Sequence, residues 1–595
     1  MARQIKRLLT GVAALAVVLA LPALAQDKPE SILPPGFGDP LPAPGPAPAP
    51  SGTIAPSPSP SEGAGVEVVD ALLEAEPLAV RPPAPQVEYP AEARRDARFA
   101  GVIDLAAAGV GPRPWGAASG KMLQALMRRM NTPLASRWAH IALRNALLAK
   151  ALAPSDLNPA DWAAERAWLM LRMGEADGSR LLIAAVDSDD FTPKMRQIAL
   201  QSALASSDPS AMCPLEAGLS KVEPKFAPLV KAMCASLSGE SERAAADIDA
   251  ARRRGRIDAI DLSLADKVVG AGAETSRAVT IEWGPVDRID SWRFGLATAT
   301  ATMPPERLVN AASLQTKAWL ARAPMFPASA RLQSARVAAG LGVFSSQALI
   351  DLYAAAYDAT DPDELGDTDA WQLRLAFIGK DQDARLSAMR NLWGKADAPL
   401  DKVAARVPLS RAARRVAPSA DFEAEAVDLV ASLLAGGFDR EAARWARVVD
   451  KFDDQAGDAV WAMLALGARD ASALGIDADR IEDFADRDQS EGKQRTALLV
   501  AGLAGLGRID AATAGQLSGD YQLGLGAETP WTRLIDGAMR RRQAGTAALL
   551  VASALQGREF DEVRGFYLFH SVNALRQTGQ EYMARMIAAE ALART

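Results

Sequence analysis

Histidine and cysteine are almost missing: the 595-residue chain carries two of each. Two histidines cannot build a three-histidine zinc centre, and two cysteines cannot build a four-cysteine zinc or iron–sulfur site. Positive charge is in deficit, with 66 basic against 73 acidic side chains and a formal net charge of −7. A general nucleic-acid binder needs a cationic surface, so that class is disfavoured. Alternating β-branched runs are nearly absent; Val279-Thr280-Ile281-Glu282-Trp283 is the one short exception. What remains is ordinary globular composition, 49% hydrophobic and 23% charged, which excludes wholesale disorder.

The first residues have the grammar of an export signal. Arg3, Lys6 and Arg7 precede a run from Leu8 to Leu21 that is almost entirely Ala, Val and Leu, and Ala23-Leu24-Ala25 is a small-x-small cleavage site. The apolar run is short for a span of about 20 residues, and Pro22 interrupts it. Residues 1–25 are therefore expected to be a cleaved signal peptide, with the mature chain starting at Gln26. No cysteine stands at position 26, so lipid attachment there is excluded. No later stretch reaches about 18 uncharged apolar residues, so no transmembrane span is expected after cleavage.

Residues 26–91 read as a disordered, proline-rich linker. Twelve prolines fall between Pro29 and Pro60, interleaved with Ala, Gly and Ser. Proline lacks the N–H that helices and central strands use, so the stretch favours extended, hydrated backbone spanning roughly 100 Å at ~3.1 Å per residue. A spacer is the simpler reading, since the Ala-Pro and Ser-Pro runs from Leu41 to Pro60 carry no aromatic or basic anchor, and a proline-rich ligand is the sharper one.

From residue 92 to 595 the pattern is helix after helix. Ala160, Ala164, Ala167, Trp168 and Leu171 form one apolar stripe, opened by the cap and first-turn proline Asn158-Pro159. Thr192-Pro193 opens another, and Arg440 to Val449 and Glu581 to Leu592 are among the later segments. Helices of about 10–16 residues with short connections predict antiparallel neighbours. Two hairpins share a turn of the type Gly-x-(Asp/Glu): Leu434-Ala435-Gly436-Gly437-Phe438-Asp439-Arg440-Glu441-Ala442-Ala443, and Leu575-Arg576-Gln577-Thr578-Gly579-Gln580-Glu581-Tyr582-Met583-Ala584.

These hairpins resemble the helix-turn-helix units of tetratricopeptide-type repeats, although the 34-residue consensus and a fixed period are absent. The resemblance implies an all-α fold, a superhelical α-solenoid of antiparallel hairpins over about residues 120–595. It is architectural and brings no catalytic residues with it. The linker-plus-solenoid layout, with 51 Arg against 15 Lys, also resembles exported proteins of high-GC Gram-negative bacteria.

Cys213 and Cys234, each preceded by Ala-Met, are expected to form a disulfide in an oxidising periplasm; two buried free thiols are the alternative. Their spacing of 21 suits two adjacent antiparallel helices. His140 and His570 sit in apolar helical patterns and read as packed side chains bonded to backbone carbonyls. Ser490-Glu491-Gly492-Lys493 matches a Ser-x-x-Lys nucleophile pattern but lacks the partner motifs, and reads as a helix cap. Asp361 to Asp369 mimics a calcium loop with Leu365 and Gln372 where ligands belong, and reads as a solvated loop. Trp115 to Lys121 ends like a phosphate loop but lacks the first glycine and the strand. Twelve tryptophans are expected to fill space between alanine-rich helices, a sugar-stacking groove being the alternative. Arg252-Arg253-Arg254 and Arg540-Arg541-Arg542 end helices, where positive charge suits the dipole or an acidic partner.

No catalytic, cofactor or metal residue is thereby assigned. The function expected is a non-enzymatic periplasmic or cell-envelope scaffold that mediates protein–protein interactions, spread over an extended surface. The alternative is a peptidoglycan-binding or peptidoglycan-processing protein with a lytic-transglycosylase-like superhelix. The last hundred residues carry nothing like that family's catalytic Glu-Ser and Gly-Leu-Met-Gln elements.

Overall fold

The computed structural model describes residues 90–273 and 279–595. The expected signal peptide, and the proline-rich linker up to residue 89, lie outside the described residues. Contacts divide the chain between Gln86 and Val87, and everything below concerns the second part. Among the described residues there are α-helices and 3-10 turns and no strand; the β-branched stretch 279–283 is irregular.

Local chemistry explains where helices begin. Asn158 accepts the amide of Ala160 at 2.9 Å and Pro159 occupies the first helical position of Pro159–Arg172. Thr192 does the same for Pro193–Ala205 through the amide of Met195 at 3.1 Å. Thr529 and Thr532 form a reciprocal capping box in front of Pro530–Arg540. One expected helix is interrupted: Arg440 to Val449 becomes Asp439–Ala443 followed by 3-10 turns Arg444–Arg447 and Val449–Lys451. The tighter turns place Trp445 in the core, 1% exposed, with Phe452 beside it.

Consecutive helices pack on one another. Pairs include Pro159–Arg172 with Ala176–Ala184, Leu314–Ala321 with Ala328–Leu341, Pro399–Ala413 with Glu423–Ala435, and Gly565–Gln577 with Glu581–Arg594. Small residues permit the closest crossings: a Cβ at Gly295 would stand 2.6 Å from the carbonyl oxygen of Leu204. Contacts between distant segments are added to this local pairing. Glu581–Arg594 packs on five helices: Arg137–Leu148, Glu423–Ala435, Asp454–Gly467, Gln494–Leu506 and Gly565–Gln577. Its residues Ala584 to Leu592 are all buried, which is why it shows no polar face. Arg137–Leu148 packs in turn on Pro159–Arg172, Ala328–Leu341 and Ala544–Ala554.

Buried apolar side chains form three clusters. The largest draws on residues 108–173 and 318–592, a second on residues 199–297, and a third, including Ala167, Ile198 and Trp319, lies between the elements of the other two. Eight of the twelve tryptophans are buried, so the indoles mainly fill the core.

The second cluster contains the disulfide. Cys213 and Cys234 are bonded, with Cα atoms 5.5 Å apart. The expectation of two facing α-helices is corrected on one side: Cys213 lies in the 3-10 segment Pro209–Leu215, where the interior Pro214 removes a backbone donor that a continuous α-helix would use. Cys234 is on Ala227–Leu237. Closing a loop of this size is worth roughly 3 kcal/mol. Cys213→Ser is therefore expected to lower stability by ~2–4 kcal/mol in denaturant titrations. Identical unfolding curves for the oxidised and reduced parent would contradict that.

Candidate functional site

A cleft of about 860 Å³ opens where Pro159–Arg172, Pro193–Ala205, the start of Ser291–Ala299 and the start of Leu314–Ala321 converge. That volume lies within the range of ligand sites. The walls come from positions between Arg128 and Trp319, far apart in the chain, and hold both apolar and charged side chains.

Glu165 organises the charged wall. Its side chain is 1% exposed and its Oε1 accepts from Gln124 Nε2 at 2.8 Å, Arg128 Nε at 3.0 Å and Lys194 Nζ at 2.7 Å. Oε2 is buried without a partner. Burial alone raises a carboxyl pKa, but the hydrogen bonds from Arg128 and Lys194 outweigh it and hold Glu165 below the usual carboxylate range. Glu165 thus stays ionised and serves as a post on which two cations are fixed. A glycosidase general acid requires the opposite shift.

The cations differ in how far they are committed. Arg172 is spent on the carbonyls of Met127 and Met130, and its guanidinium lies 4.7 Å over the Trp168 ring. Arg128 and Lys194 keep side-chain exposures of 45% and 29% beside Glu165. Arg288 has no partner among the described residues. Four basic side chains line the cleft against the two carboxylates Glu165 and Asp290, in a chain that is acidic overall. Focusing of a local positive field in a low-dielectric cleft favours anions. Trp168 is partly exposed, whereas Trp319 is buried against Phe294, with its Nε1 unpartnered.

Of the residues singled out from sequence, Trp168 and Trp319 line the cleft, and the candidate chemical motifs lie elsewhere. His140 is buried and its Nε2 lies 3.0 Å from Glu175 Oε1, a carboxylate rather than the expected backbone carbonyl, because Glu175 turns inward to meet both His140 and Arg144. His570 Nε2 lies 3.1 Å from the Leu525 carbonyl, as expected. Ser490 Oγ accepts the Arg495 amide at 3.0 Å and Asp488 accepts that of Thr496 at 2.8 Å, so this segment caps Gln494–Leu506. Lys493 is tied to the Ala485 carbonyl. The Ser119-Gly120-Lys121 amide end is filled by Asp156, which takes the Ser119 hydroxyl and the Gly120 amide, both at 2.7 Å. Leu365–Asp367 is a 3-10 turn, and no group of three His, Cys, Asp or Glu suited to a metal occurs among the described residues.

The cleft itself was missed. Glu165 and Arg166 interrupt the Ala-rich Pro159–Arg172 helix, and both are buried. That pair of charges on an apolar helix was the available signal. Arg166 turned out to be structural, donating to the carbonyls of Leu147, Ala149 and Ala100, with its pKa pushed down to about 9 by burial.

Burial lowers the imidazole pKa of both histidines, in His140 against the opposing pull of Glu175. The unfolded chain then holds the proton more tightly, so their contribution is complete above about pH 6.5 and is lost as pH falls below it, by up to ~1.4 kcal/mol per pH unit per histidine. Unfolding free energy measured from pH 7.5 to 5 should fall more steeply in the parent than in a His140→Gln, His570→Gln variant; equal slopes would refute this. No protein-family model, no curated protein and no solved structure matches the chain.

Proposed function

We propose that the chain is an exported cell-envelope scaffold that binds protein partners, its helix pairs stacked as a superhelical α-solenoid after the signal peptide and proline-rich linker. The observation that carries this reading is the cleft. It is large, it combines apolar walls with fixed cations, and its buried carboxylate is held ionised rather than poised to donate a proton. Such a lining suits binding. The consecutive pairing of helices supports a repeat architecture, whose faces are suited to extended partners. The Cys213–Cys234 bond agrees with an oxidising compartment, and no described helix is long and apolar enough to cross a membrane.

The peptidoglycan reading draws on one observation, the partly exposed ring of Trp168. Arg172 covers one face of that ring, and Trp319 is packed against Phe294, so the platform for sugar stacking is limited. The protein-partner reading is preferred.

Photo-crosslinking in intact envelopes separates the two. Gln197 is exposed in the cleft and accepts a benzoylphenylalanine; Ile378, 60% exposed, is the control outside its lining. The expected result is a discrete adduct from position 197 only, unaffected by muramidase and yielding tryptic peptides of a second protein. An adduct that collapses with muramidase would establish the glycan reading, and equal adducts from both positions would remove the cleft from the account.

A further inference from the structure

We propose that the cleft recognises a peptide carboxylate: Arg288, Lys194 and Arg128 meet the anion, and the wall of Leu171 and Ile198 takes an adjoining aliphatic side chain. This inference rests on the scaffold reading and specifies the chemistry of the partner segment.

Two independent features of the cleft converge on that ligand. The first is charge. Arg288 is exposed and without a partner among the described residues, while Arg128 and Lys194 are anchored through Glu165 and retain exposed N–H groups. An ammonium offers three donors and a guanidinium five, so one shared carboxylate oxygen leaves most of them free. The orienting cost for an incoming anion is thereby already met.

The second is a helix end in the wall of the cleft. Leu314–Ala321 starts at Ser313, whose neutral hydroxyl accepts the Thr316 amide at 3.2 Å. The Leu314 and Gln315 amides have no acceptor inside the helix, and Ser313, Gln315 and Thr316 all line the cleft. The positive end of that dipole faces the same space as the cations. The neighbouring helix start at Ser291 differs, since its cap Asp290 is itself a carboxylate, accepting the Arg293 amide at 2.9 Å.

A saccharide ring is the poorer match because it needs an open aromatic face, and Arg172 occupies one face of Trp168.

The test uses the purified chain and an N-acetylated hexapeptide, Ala-Leu-Ala-Glu-Ala-Leu, read by isothermal titration calorimetry. Four forms are compared: glutamate or glutamine at the fourth position, each with a free or an amidated C-terminus. The form with no carboxylate should bind about tenfold or more weakly than the form with both. Arg288→Gln, at an exposed position, should weaken the best binder by about fivefold or more, and Arg533→Gln, an exposed residue outside the cleft, should leave it unchanged. The two single-carboxylate forms show whether a chain terminus or an acidic side chain supplies the anion, and affinity in either supports the proposal. Equal binding of all four forms, no saturable binding up to about 1 mM, or parental binding by Arg288→Gln would overturn it. A muramidase-resistant adduct with a second protein at position 197 alongside carboxylate-independent peptide binding would remove this inference and leave the scaffold reading standing. Carboxylate-dependent binding without any envelope protein adduct would do the reverse.

Discussion

The architecture hangs on one buried carboxylate. Glu590, on Glu581–Arg594, caps the first turn of Arg137–Leu148 from more than 450 residues away. Its Oε2 accepts the Ser136 hydroxyl at 2.6 Å and the Trp138 amide at 3.2 Å, and its Oε1 accepts the Arg137 amide at 2.9 Å. Ser136 Oγ takes the Ala139 amide at 3.0 Å, so the first-turn donors that an α-helix leaves orphaned are satisfied inside the core. Arg594 neutralises the carboxylate at 3.1 Å. The next side chain along, Arg137, donates to the carbonyls of Ala339, Ala435 and Phe344. One turn of helix thereby joins four otherwise separate stretches of chain. The cleft depends on this joint, because Arg137–Leu148 packs on Pro159–Arg172, which forms one wall, and on Ala328–Leu341, which supports the Leu314–Ala321 wall.

Inward-turned arginine recurs elsewhere in the fold. Arg166, Arg172, Arg508 and Arg585, like Arg137, turn inward and donate to main-chain carbonyls, many of them at helix ends. A planar guanidinium supplies several fixed donors and is weakly hydrated, so one side chain can bond two or three carbonyls at a buried helix terminus. Burial lowers the pKa of Arg137 and Arg508 to about 10, which leaves both charged at neutral pH. Alanine allows the helices to approach closely and tryptophan fills the gaps; buried arginine satisfies the polar ends that such tight packing shuts off from water.

Helix identity was legible because it is written locally. Asn158-Pro159 and Thr192-Pro193 mark their starts through cap chemistry that needs no tertiary partner. The cysteine pair was legible from number and context. The break at Arg444 was not, since the burial of Trp445 is settled by its neighbours in space. Nor was the Glu175 partner of His140, 35 positions away, or the role of Glu590, which reads as one more polar residue in an alanine-rich helix. The cleft was hidden for the same reason. Arg128, Glu165, Lys194 and Arg288 sit on separate elements, and no spacing rule connects them.

The direct measurement is amide hydrogen exchange of residues 136–140 in Glu590→Ala beside Glu581→Ala, the latter altering an exposed position on the same helix. Removing one partner of a buried ion pair costs about 3–5 kcal/mol. Glu590→Ala is predicted to lower global stability by that order and to expose the first turn of Arg137–Leu148 to rapid exchange, with Glu581→Ala within ~0.5 kcal/mol of the parent. Unchanged protection of residues 136–140 in a folded Glu590→Ala protein would contradict the claim that this carboxylate holds the chain together.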